Sequence, residues 1–339
     1  MKKLYFHIGY PRTGTTTLQI HLFPNHPQIN YLGRRPNTDP KLELIYLISF
    51  LNNNDFDKRY SELLEKAKEF YLDSNKINVI SSEFVILHAI HYNDTVDNLR
   101  TVSRSVSRIN SLFSKINVDV YFFCSIRNHV KIIPSFYSAA APELNYSLTF
   151  NGEELVEYLK NNKSSNPRIE ILLSGFKYCE LYKNLEKVVG KNKIKFFLFE
   201  EFNNNFASEL SNYLKINPAI SLKLLKNSSE NTGFNQIKED AAINSPLSIF
   251  FFKLTKNLKN PRILFFGFSK KLFNMFKLLY KLIKYKQKDK EILKLKKENL
   301  IKQINIIKNN SSLIKKYYRN DCLELKNELK LDIDKYDYL

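Results

Sequence analysis

The sequence has only three cysteines in 339 residues, Cys124, Cys179 and Cys322. They are far apart, and their spacing matches no common metal-binding pattern. An odd number of dispersed cysteines is typical of a protein whose thiols stay reduced. The composition therefore disfavours a disulfide-stabilised fold and predicts a reducing compartment. Cys124 falls in an apolar run, where we expect it to be a small buried hydrophobic residue.

Long apolar runs are also missing. No stretch reaches the roughly 18 uninterrupted apolar residues expected of a membrane-spanning helix. Met1-Lys2-Lys3 is similar to the start of a signal peptide, but the apolar segment after it is short and runs directly into a glycine-bounded turn. We therefore expect a cytoplasmic protein.

Acidic residues are scarce relative to basic ones, and the net charge is +19. Residues 241–339 contain 23 Lys/Arg and 9 Asp/Glu, a net charge of +14, which leaves about +5 (19 − 14) for residues 1–240. Zinc-finger spacing and RNP-type aromatic motifs are absent, so nucleic acid is disfavoured as the main partner. A basic groove is also expected in a protein that binds a ligand with several negative charges.

The most informative segment runs from Lys3 to Gln19. An apolar stretch enters a turn bounded by Gly9 and Gly14, and the threonines 15–17 then open a helix. We expect Gly9 to let the chain leave the strand sharply and Gly14 to bring the backbone close to an anion. The N–H groups of a helix N-terminus attract negative charge. The spacing Gly-x4-Gly-x-Thr is that of the nucleotide P-loop, except that Thr15 takes the place of the lysine. The cation lies inside the loop instead, at Arg12. The alternative is an ordinary strand-to-helix turn.

A second informative segment, residues 118–137, contains a predicted strand that ends at an arginine. Its β-branched and aromatic residues predict a strand that is buried on both faces and ends at Arg127. Ser135 follows eight residues later, about two helical turns along, so both side chains are expected to converge on one anion above the carboxyl end of the strand. Taken separately, a solvated arginine and a helical serine are both common.

Together the two segments resemble the sulfotransferases that use 3′-phosphoadenosine 5′-phosphosulfate (PAPS). That family has Pro-[Lys/Arg]-[Ser/Thr]-Gly-Thr-[Thr/Ser] after its first strand and, at a later strand end, an Arg with Ser at plus eight and Tyr at plus ten. The resemblance implies that Arg12 stabilises charge on the bridging oxygen and that Arg127 and Ser135 bind the 3′-phosphate. It implies no metal. The residues it assigns to the 5′-phosphate loop are Pro11, Arg12, Thr13, Gly14, Thr15, Thr16 and Thr17.

A catalytic base is expected at the same edge of the sheet. Glu83 directly follows the second predicted strand, and several sulfotransferases look similar, with a glutamate near this position as the general base. The alternative for Glu83 is a helix-capping carboxylate. His88 and His91 are the rival bases, because an unperturbed histidine titrates near neutrality.

The adenine end of the donor is assigned to the loop 226–233, with Asn227 and Ser228 as contacts. This loop lacks the Lys-Gly-x-x-Gly pattern of cytosolic small-molecule sulfotransferases. The absence of this pattern favours the carbohydrate-modifying and bacterial branches of the sulfotransferase family, and hence a carbohydrate hydroxyl as the acceptor. A plain Asn/Ser/Gly loop is the alternative.

Residues 241–288 contain no acidic residue. Within this stretch, residues 263–286 combine a basic arc with a wide apolar face. The segment suits an anionic membrane surface, and a lipid-linked glycan at the inner face of the membrane would then be the acceptor. It equally suits a helix that packs its apolar face on the catalytic domain. The lysines of the arc are Lys270, Lys277, Lys281 and Lys284.

The alternation of strands and helices predicts a three-layer, P-loop-like α/β fold with a central parallel sheet of about four to five strands and a C-terminal helical extension. We predict a PAPS-binding domain over 1–240 and a basic helical extension over 241–339 that packs on it. The predicted strands are 3–8, 77–81, 119–126 and 193–199. The predicted helices are one from Thr15, one or two in 41–73, and one each in 94–115, 151–160, 168–189, 287–309 and 312–329. In the last of these, Leu313, Tyr317, Leu325 and Leu329 are expected to face inward.

Two other classes of protein stay open at this point. A P-loop kinase would require Mg²⁺ and ATP, which the missing lysine disfavours. A non-enzymatic, basic, membrane-associated protein would bind no nucleotide.

Overall fold

The computed structural model describes residues 2–33, 42–91, 98–140, 151–162, 166–202, 205–226 and 289–339, and within these ranges the side chains of 88–89, 91, 98, 139–140 and 289–297 are not described. The predicted loop contacts Asn227 and Ser228 and the basic segment 263–286 lie outside the described residues.

Five parallel strands form one sheet in the order β2-β3-β1-β4-β5. The strands are β1 (Lys2–His7), β2 (Ile29–Tyr31), β3 (Ile77–Ser81), β4 (Val118–Ile126) and β5 (Ile194–Leu198). The predicted α/β fold with a parallel sheet is confirmed. The sequence did not reveal β2, because three residues are too few to show a period, and β2 pairs only with β3.

The helices follow the strands in the alternating order of a parallel sheet. The first, α1, begins as Thr15–Thr17 and continues as a π-helical turn, Leu18–Leu22. The others are α2 (Glu43–Phe50), α3 (Asn53–Lys58), α4 (Tyr60–Lys68), α5 (Phe84–His91), α6 (Asn98–Lys115), α7 (His129–Ala140), α8 (Gly152–Asn161), α9 (Pro167–Ser174), α10 (Tyr178–Val189), α11 (Phe206–Leu214), α12 (Pro218–Lys226), α13 (Asp289–Asn309) and α14 (Ser311–Leu329), with 3₁₀ turns at Lys191–Lys193, Phe199–Glu201 and Asp334–Tyr336.

Helices cover both faces of the sheet. Side chains of neighbouring residues in a strand point to opposite faces. Phe196 of β5 contacts the ring of Tyr182 on α10, whereas Phe197 contacts the ring of Phe206 on α11. These two contacts place α10 and α11 on opposite faces, which gives the three layers that the alternation predicted.

Two predicted helical regions are divided more finely than expected. The predicted region 41–73 contains three helices. The first ends at Phe50, Asn52 caps the second by accepting a hydrogen bond from the N–H of Asp55 at 2.8 Å, and the third begins after Arg59. Residues 168–189 form two helices, α9 and α10, separated at Gly175–Lys177.

The inward face of α14 was predicted correctly at Leu325 but wrongly at Leu313, Tyr317 and Leu329. The other buried residues of this helix are Ile314, Tyr318 and Cys322. The helix carries two apolar stripes one position apart, so its periodicity alone did not decide which stripe is buried.

The chain divides into two compact units. The first consists of Met1–Ile132, Ser164–Thr232 and Ser312–Leu339 and holds the whole sheet; the second consists of Ile133–Lys163 and Gly233–Ser311. The predicted domain boundary at residue 240 lies outside the described residues and stays a prediction.

The second unit is organised around α8 and α13. Asn151 caps α8 in a capping box with Glu154. The N–H of Gly152 donates to Oε1 of Gln303 on α13 at 2.6 Å. A β-carbon at position 152 would lie 2.7 Å from the backbone oxygen of Gln303, so the two helices meet closely enough to require glycine there.

Within the described part of the chain, none of the helices combines the length and the apolar character needed to cross a membrane.

Candidate anion-binding site

The loop between β1 and α1 is fixed by contacts at its base. The hydroxyl of Tyr10 donates to the carbonyl oxygen of Gly175 at 2.8 Å, and the ring of Tyr10 stacks on Phe176. The hydroxyl of Thr13 donates to the carbonyl oxygen of Tyr10 at 2.6 Å. Tyr10, Pro11 and Thr13 are all buried, so the loop has a defined conformation before any ligand binds.

Two residues of this loop have left-handed backbone conformations. Gly14 has φ 78°, which glycine adopts without strain. Arg12 has φ 69°, which costs a residue with a β-carbon about 1–2 kcal/mol. The Arg12 side chain is exposed. A strained residue inside a phosphate-loop-like turn is typical of a functional site, because the surrounding contacts must hold it there.

Gly9 is required by close packing. The sequence suggested that Gly9 lets the chain turn sharply, but its φ is not among the positive ones. A β-carbon at Gly9 would lie 2.2 Å from Cγ2 of Thr15 and 2.8 Å from two atoms of the His7 ring. Glycine therefore allows the loop to fold back onto the first turn of α1.

A buried polar network lies beneath this contact. Nδ1 of His7 is 2.7 Å from Oγ of Ser81, which accepts a hydrogen bond from Nε2 of Gln19 at 2.9 Å. The Ser81 hydroxyl is then available to donate to Nδ1, and this tautomer of His7 has its hydrogen on Nε2. Nε2 is buried and has no hydrogen-bond partner among the described residues. Burial lowers the pKa of His7 to about 3, so the imidazole is neutral at pH 7.

The structure brings Glu83 to the loop. Glu83 follows β3, and its carbonyl oxygen accepts the N–H of Leu87 at the start of α5. Its carboxylate accepts a hydrogen bond from the hydroxyl of Thr15. The residue predicted as the base therefore contacts the predicted 5′-phosphate loop. The Thr15 hydroxyl donates to Glu83. The loop also carries its backbone N–H groups, the hydroxyls of exposed Thr16 and partly exposed Thr17, and the exposed guanidinium of Arg12.

Arg127 lies at the carboxyl end of β4, as predicted. Its Nη1 donates to the carbonyl oxygen of Arg12 at 3.1 Å, and its guanidinium lies over the ring of Phe199 with its central carbon 4.8 Å from the ring centre. Tyr178 donates to the backbone oxygen of Arg127 at 2.8 Å. Nε of Arg127 is buried and has no hydrogen-bond partner within the described residues.

The two arginines interact electrostatically. The pKa of Arg127 is lowered, mainly by burial and further by the positive charge of Arg12, while Glu200 opposes the shift. Arg12, Arg127 and the N-terminus of α1 therefore supply positive charge to one part of the carboxyl edge of the sheet. An anion bound there would relieve both the repulsion and the cost of burying Arg127.

For the other predicted site residues, the structure gives the helix on which each lies but not its contacts with the site. Ser135 lies on α7 and is partly exposed, but it belongs to the second unit, whereas Arg127 belongs to the first. Its convergence with Arg127 stays a prediction. His88 and His91 lie on α5, and their side chains are outside the described atoms.

Several residues around Arg127 were missed by sequence reasoning. Asn128 donates through its backbone N–H to Oε1 of Glu200 at 2.9 Å, and Tyr338 donates to Oε2 of the same carboxylate at 2.9 Å. The acidic pair 200–201 follows a predicted strand, and this position could have identified Glu200 as an edge residue. No local pattern pointed to Tyr338.

Comparisons with known proteins give a weak structural likeness and no match in sequence. No protein-family model and no curated protein matches the sequence. Among solved structures, a sulfotransferase from Alicyclobacillus acidocaldarius matches with a TM-score of 0.40 and 13% sequence identity, over 63% of this chain and 81% of that chain. The function proposed below therefore rests on this chain's own residues.

The contact beneath the loop predicts that Gly9→Ala destabilises the protein. The added methyl group overlaps Thr15 and His7, and such overpacking costs about 1–3 kcal/mol. Thr15→Ser, which removes Cγ2 but keeps the hydroxyl that contacts Glu83, should recover part of this loss in the Gly9→Ala background. Chemical denaturation of the two single variants and the double variant measures the coupling. Additive effects would contradict the packing described here.

The buried imidazoles predict a loss of stability in mild acid. Burial lowers the pKa of His7 to about 3, and burial, opposed by a hydrogen bond to Phe176, does the same for His129. Below pH 6.5 the unfolded chain binds protons that the folded chain excludes, so the stability contribution is complete above about pH 6.5 and falls as the pH decreases toward 3. At pH 5 each histidine accounts for a loss of about 2 kcal/mol.

Urea denaturation at a series of pH values measures this effect. In His7→Gln, the free energy of unfolding should fall by about 2 kcal/mol less between pH 7 and pH 5 than it does in the wild type. His129→Gln should have the same effect independently. Curves parallel to that of the wild type would show that these histidines are protonated in the folded state.

Proposed function

We propose that the protein is a PAPS-dependent sulfotransferase that transfers a sulfuryl group to a hydroxyl of a carbohydrate acceptor. The observation that carries this proposal is the partly buried guanidinium of Arg127 beside the loop. Its Nε is buried and has no hydrogen-bond partner among the described residues, and its Nη1 donates to the backbone oxygen of Arg12. A site with this charge suits a donor that carries phosphate groups at both ends.

The loop and the arginine would bind different parts of the donor. The N–H groups at the start of α1, with Thr16 and Thr17, would bind the 5′-phosphate. Arg12 would stabilise the charge that develops on the bridging oxygen, and Arg127, with Ser135, would bind the 3′-phosphate. Asn227 and Ser228 would contact the adenine end. No metal ion is needed, because cationic side chains and backbone donors supply the positive potential.

The transfer would use Glu83 as the general base. The acceptor oxygen forms a bond to sulfur while the bond between sulfur and the 5′-phosphate oxygen breaks, and the hydroxyl proton passes to a base. The contact of Glu83 with Thr15 supports this role, since it brings a carboxylate to the loop where the sulfuryl group would lie. His88 and His91 remain the rival bases.

The acceptor is proposed from the sequence alone. A surface glycan or a lipid-linked glycan at the inner face of the membrane would suit the absence of the small-molecule sulfotransferase pattern and the basic segment 263–286. The protein would then be cytoplasmic and peripheral to an anionic membrane surface.

A nucleotide titration tests donor binding. Addition of 3′,5′-ADP should raise the thermal unfolding temperature, because a ligand that binds the native state stabilises it, whereas ATP with Mg²⁺ should have little effect. Arg127→Gln should weaken the binding of 3′,5′-ADP by about 10- to 100-fold, as expected for hydrogen bonds to a charged group, and should leave 5′-AMP binding nearly unchanged.

Two results would contradict donor binding. Stabilisation by ATP with Mg²⁺ alone would favour a kinase. The absence of any nucleotide effect would favour a non-enzymatic membrane-associated protein.

A second experiment tests the base. Glu83→Gln should abolish sulfate transfer from PAPS to a glycan acceptor while 3′,5′-ADP still binds, since glutamine cannot accept the proton. Transfer assays over a panel of glycans, paired with calorimetric titration of the nucleotide, provide the measurement. Retained turnover would assign the role to His88 or His91.

A further inference from the structure

The C-terminal segment of the chain lies beside Arg127 at the edge of the sheet, although it is distant from Arg127 in sequence. Residues 330–339, which follow α14, run past the ends of β4 and β5. The side-chain amide of Asn128 donates to the carbonyl oxygens of Tyr336 and Asp337, at 2.7 Å each. Lys315 and Lys326 of α14 form ion pairs with Asp337 and Asp334. Hydrogen bonds at the sheet edge and ion pairs to α14 therefore hold this segment in place.

Both carboxylate oxygens of Glu200 are occupied. Oε1 accepts the backbone N–H of Asn128, and Oε2 accepts the hydroxyl of Tyr338, each at 2.9 Å. Tyr338 is only 2% exposed, so its hydroxyl has few other partners and is held in this position by packing. The carboxylate of Glu200 is thus fixed in one orientation.

Glu200 is also the acidic residue that acts on Arg127. Its negative charge is the main influence that opposes the lowering of the Arg127 pKa. Yet among the described residues no carboxylate forms an ion pair with Arg127. A carboxylate near a buried guanidinium normally pairs with it, because the pairing offsets the cost of burial.

We propose that Tyr338 is a positioning residue for the anion site: by holding Oε2 of Glu200, it keeps this carboxylate from pairing with Arg127 and leaves the guanidinium available to an anionic ligand. The proposal rests on the proposed function for the identity of that ligand, the 3′-phosphate of a nucleotide. Without the Tyr338 hydroxyl, Glu200 gains an unpaired oxygen close to Arg127 and competes with the phosphate for the same donors.

Nucleotide titrations of three variants test this idea. Tyr338→Phe should weaken the binding of 3′,5′-ADP about tenfold, the range expected for one hydrogen bond involving a charged group. The binding of 5′-AMP, which lacks the 3′-phosphate, should be unchanged. Adding Glu200→Gln to Tyr338→Phe should restore 3′,5′-ADP binding, because the competing charge is gone. Glu200→Gln alone should bind 3′,5′-ADP at least as tightly as the wild type.

Tyr336→Phe is the matched control. Tyr336 lies in the same segment and donates to a different carboxylate, that of Glu201, so its loss should not change nucleotide affinity. Unchanged 3′,5′-ADP affinity in Tyr338→Phe would overturn the proposal. So would a loss that persists when Glu200→Gln is added, since that result would show a purely structural role for the phenol.

A measurement without ligand separates this proposal from the proposed function. Arg127→Gln and Glu200→Gln form a double-mutant cycle that chemical denaturation can follow. Their electrostatic coupling should be weaker when Tyr338 is present than in the Tyr338→Phe background, where the Glu200 carboxylate can also form a hydrogen-bonded ion pair with Arg127. Equal coupling in both backgrounds would overturn the proposal. If the wild type binds no nucleotide, the proposed function fails and this cycle alone decides the role of Tyr338.

Discussion

The partial burial of the Arg127 guanidinium, with its Nε fully buried, is the constraint around which the candidate site is arranged. A buried cation is costly unless charges or hydrogen bonds compensate it. Here the compensation is partial: one backbone oxygen, that of Arg12, and the face of the Phe199 ring. Nε has no hydrogen-bond partner among the described residues, and Arg12 adds like-charge repulsion. The site therefore retains an electrostatic cost that an anion can remove, and that cost becomes a source of binding free energy.

The same constraint explains why distant segments meet at this edge of the sheet. An arginine at a strand end would ordinarily be solvated or paired, and either outcome would weaken its interaction with a ligand. Tyr178 fixes the Arg127 backbone, Phe199 supports the guanidinium, and Asn128 and Tyr338 hold the nearby carboxylate of Glu200. These contacts lock the charged groups in place before binding, so that little reorganisation is needed when an anion arrives.

Sequence reasoning predicted the parts of the site that depend on neighbours along the chain. The loop from Gly9 to Thr17 and the arginine that ends β4 are local motifs, and both lie where the strand pattern placed them. It did not give the packing reason for Gly9, because the approach of Thr15 and His7 depends on how α1 packs back on the loop. It placed Tyr317 rather than Tyr318 on the inward face of α14 for a similar reason, since only the packing partner distinguishes the two.

The contacts that tune Arg127 depend on the fold as a whole. Glu200 could be recognised as an edge residue from its position after β5, but its two hydrogen-bond donors come from the turn after β4 and from a segment 138 residues further along the chain. The periodicity of the sequence does not predict these long-range hydrogen bonds, because Glu200, Asn128 and Tyr338 each fit their local sequence pattern without them. The structure therefore adds what the sequence did not show: Glu200 interacts electrostatically with Arg127 while its two carboxylate oxygens accept hydrogen bonds from Asn128 and Tyr338. In the role proposed for Tyr338, these donors leave Arg127 available to an anionic ligand.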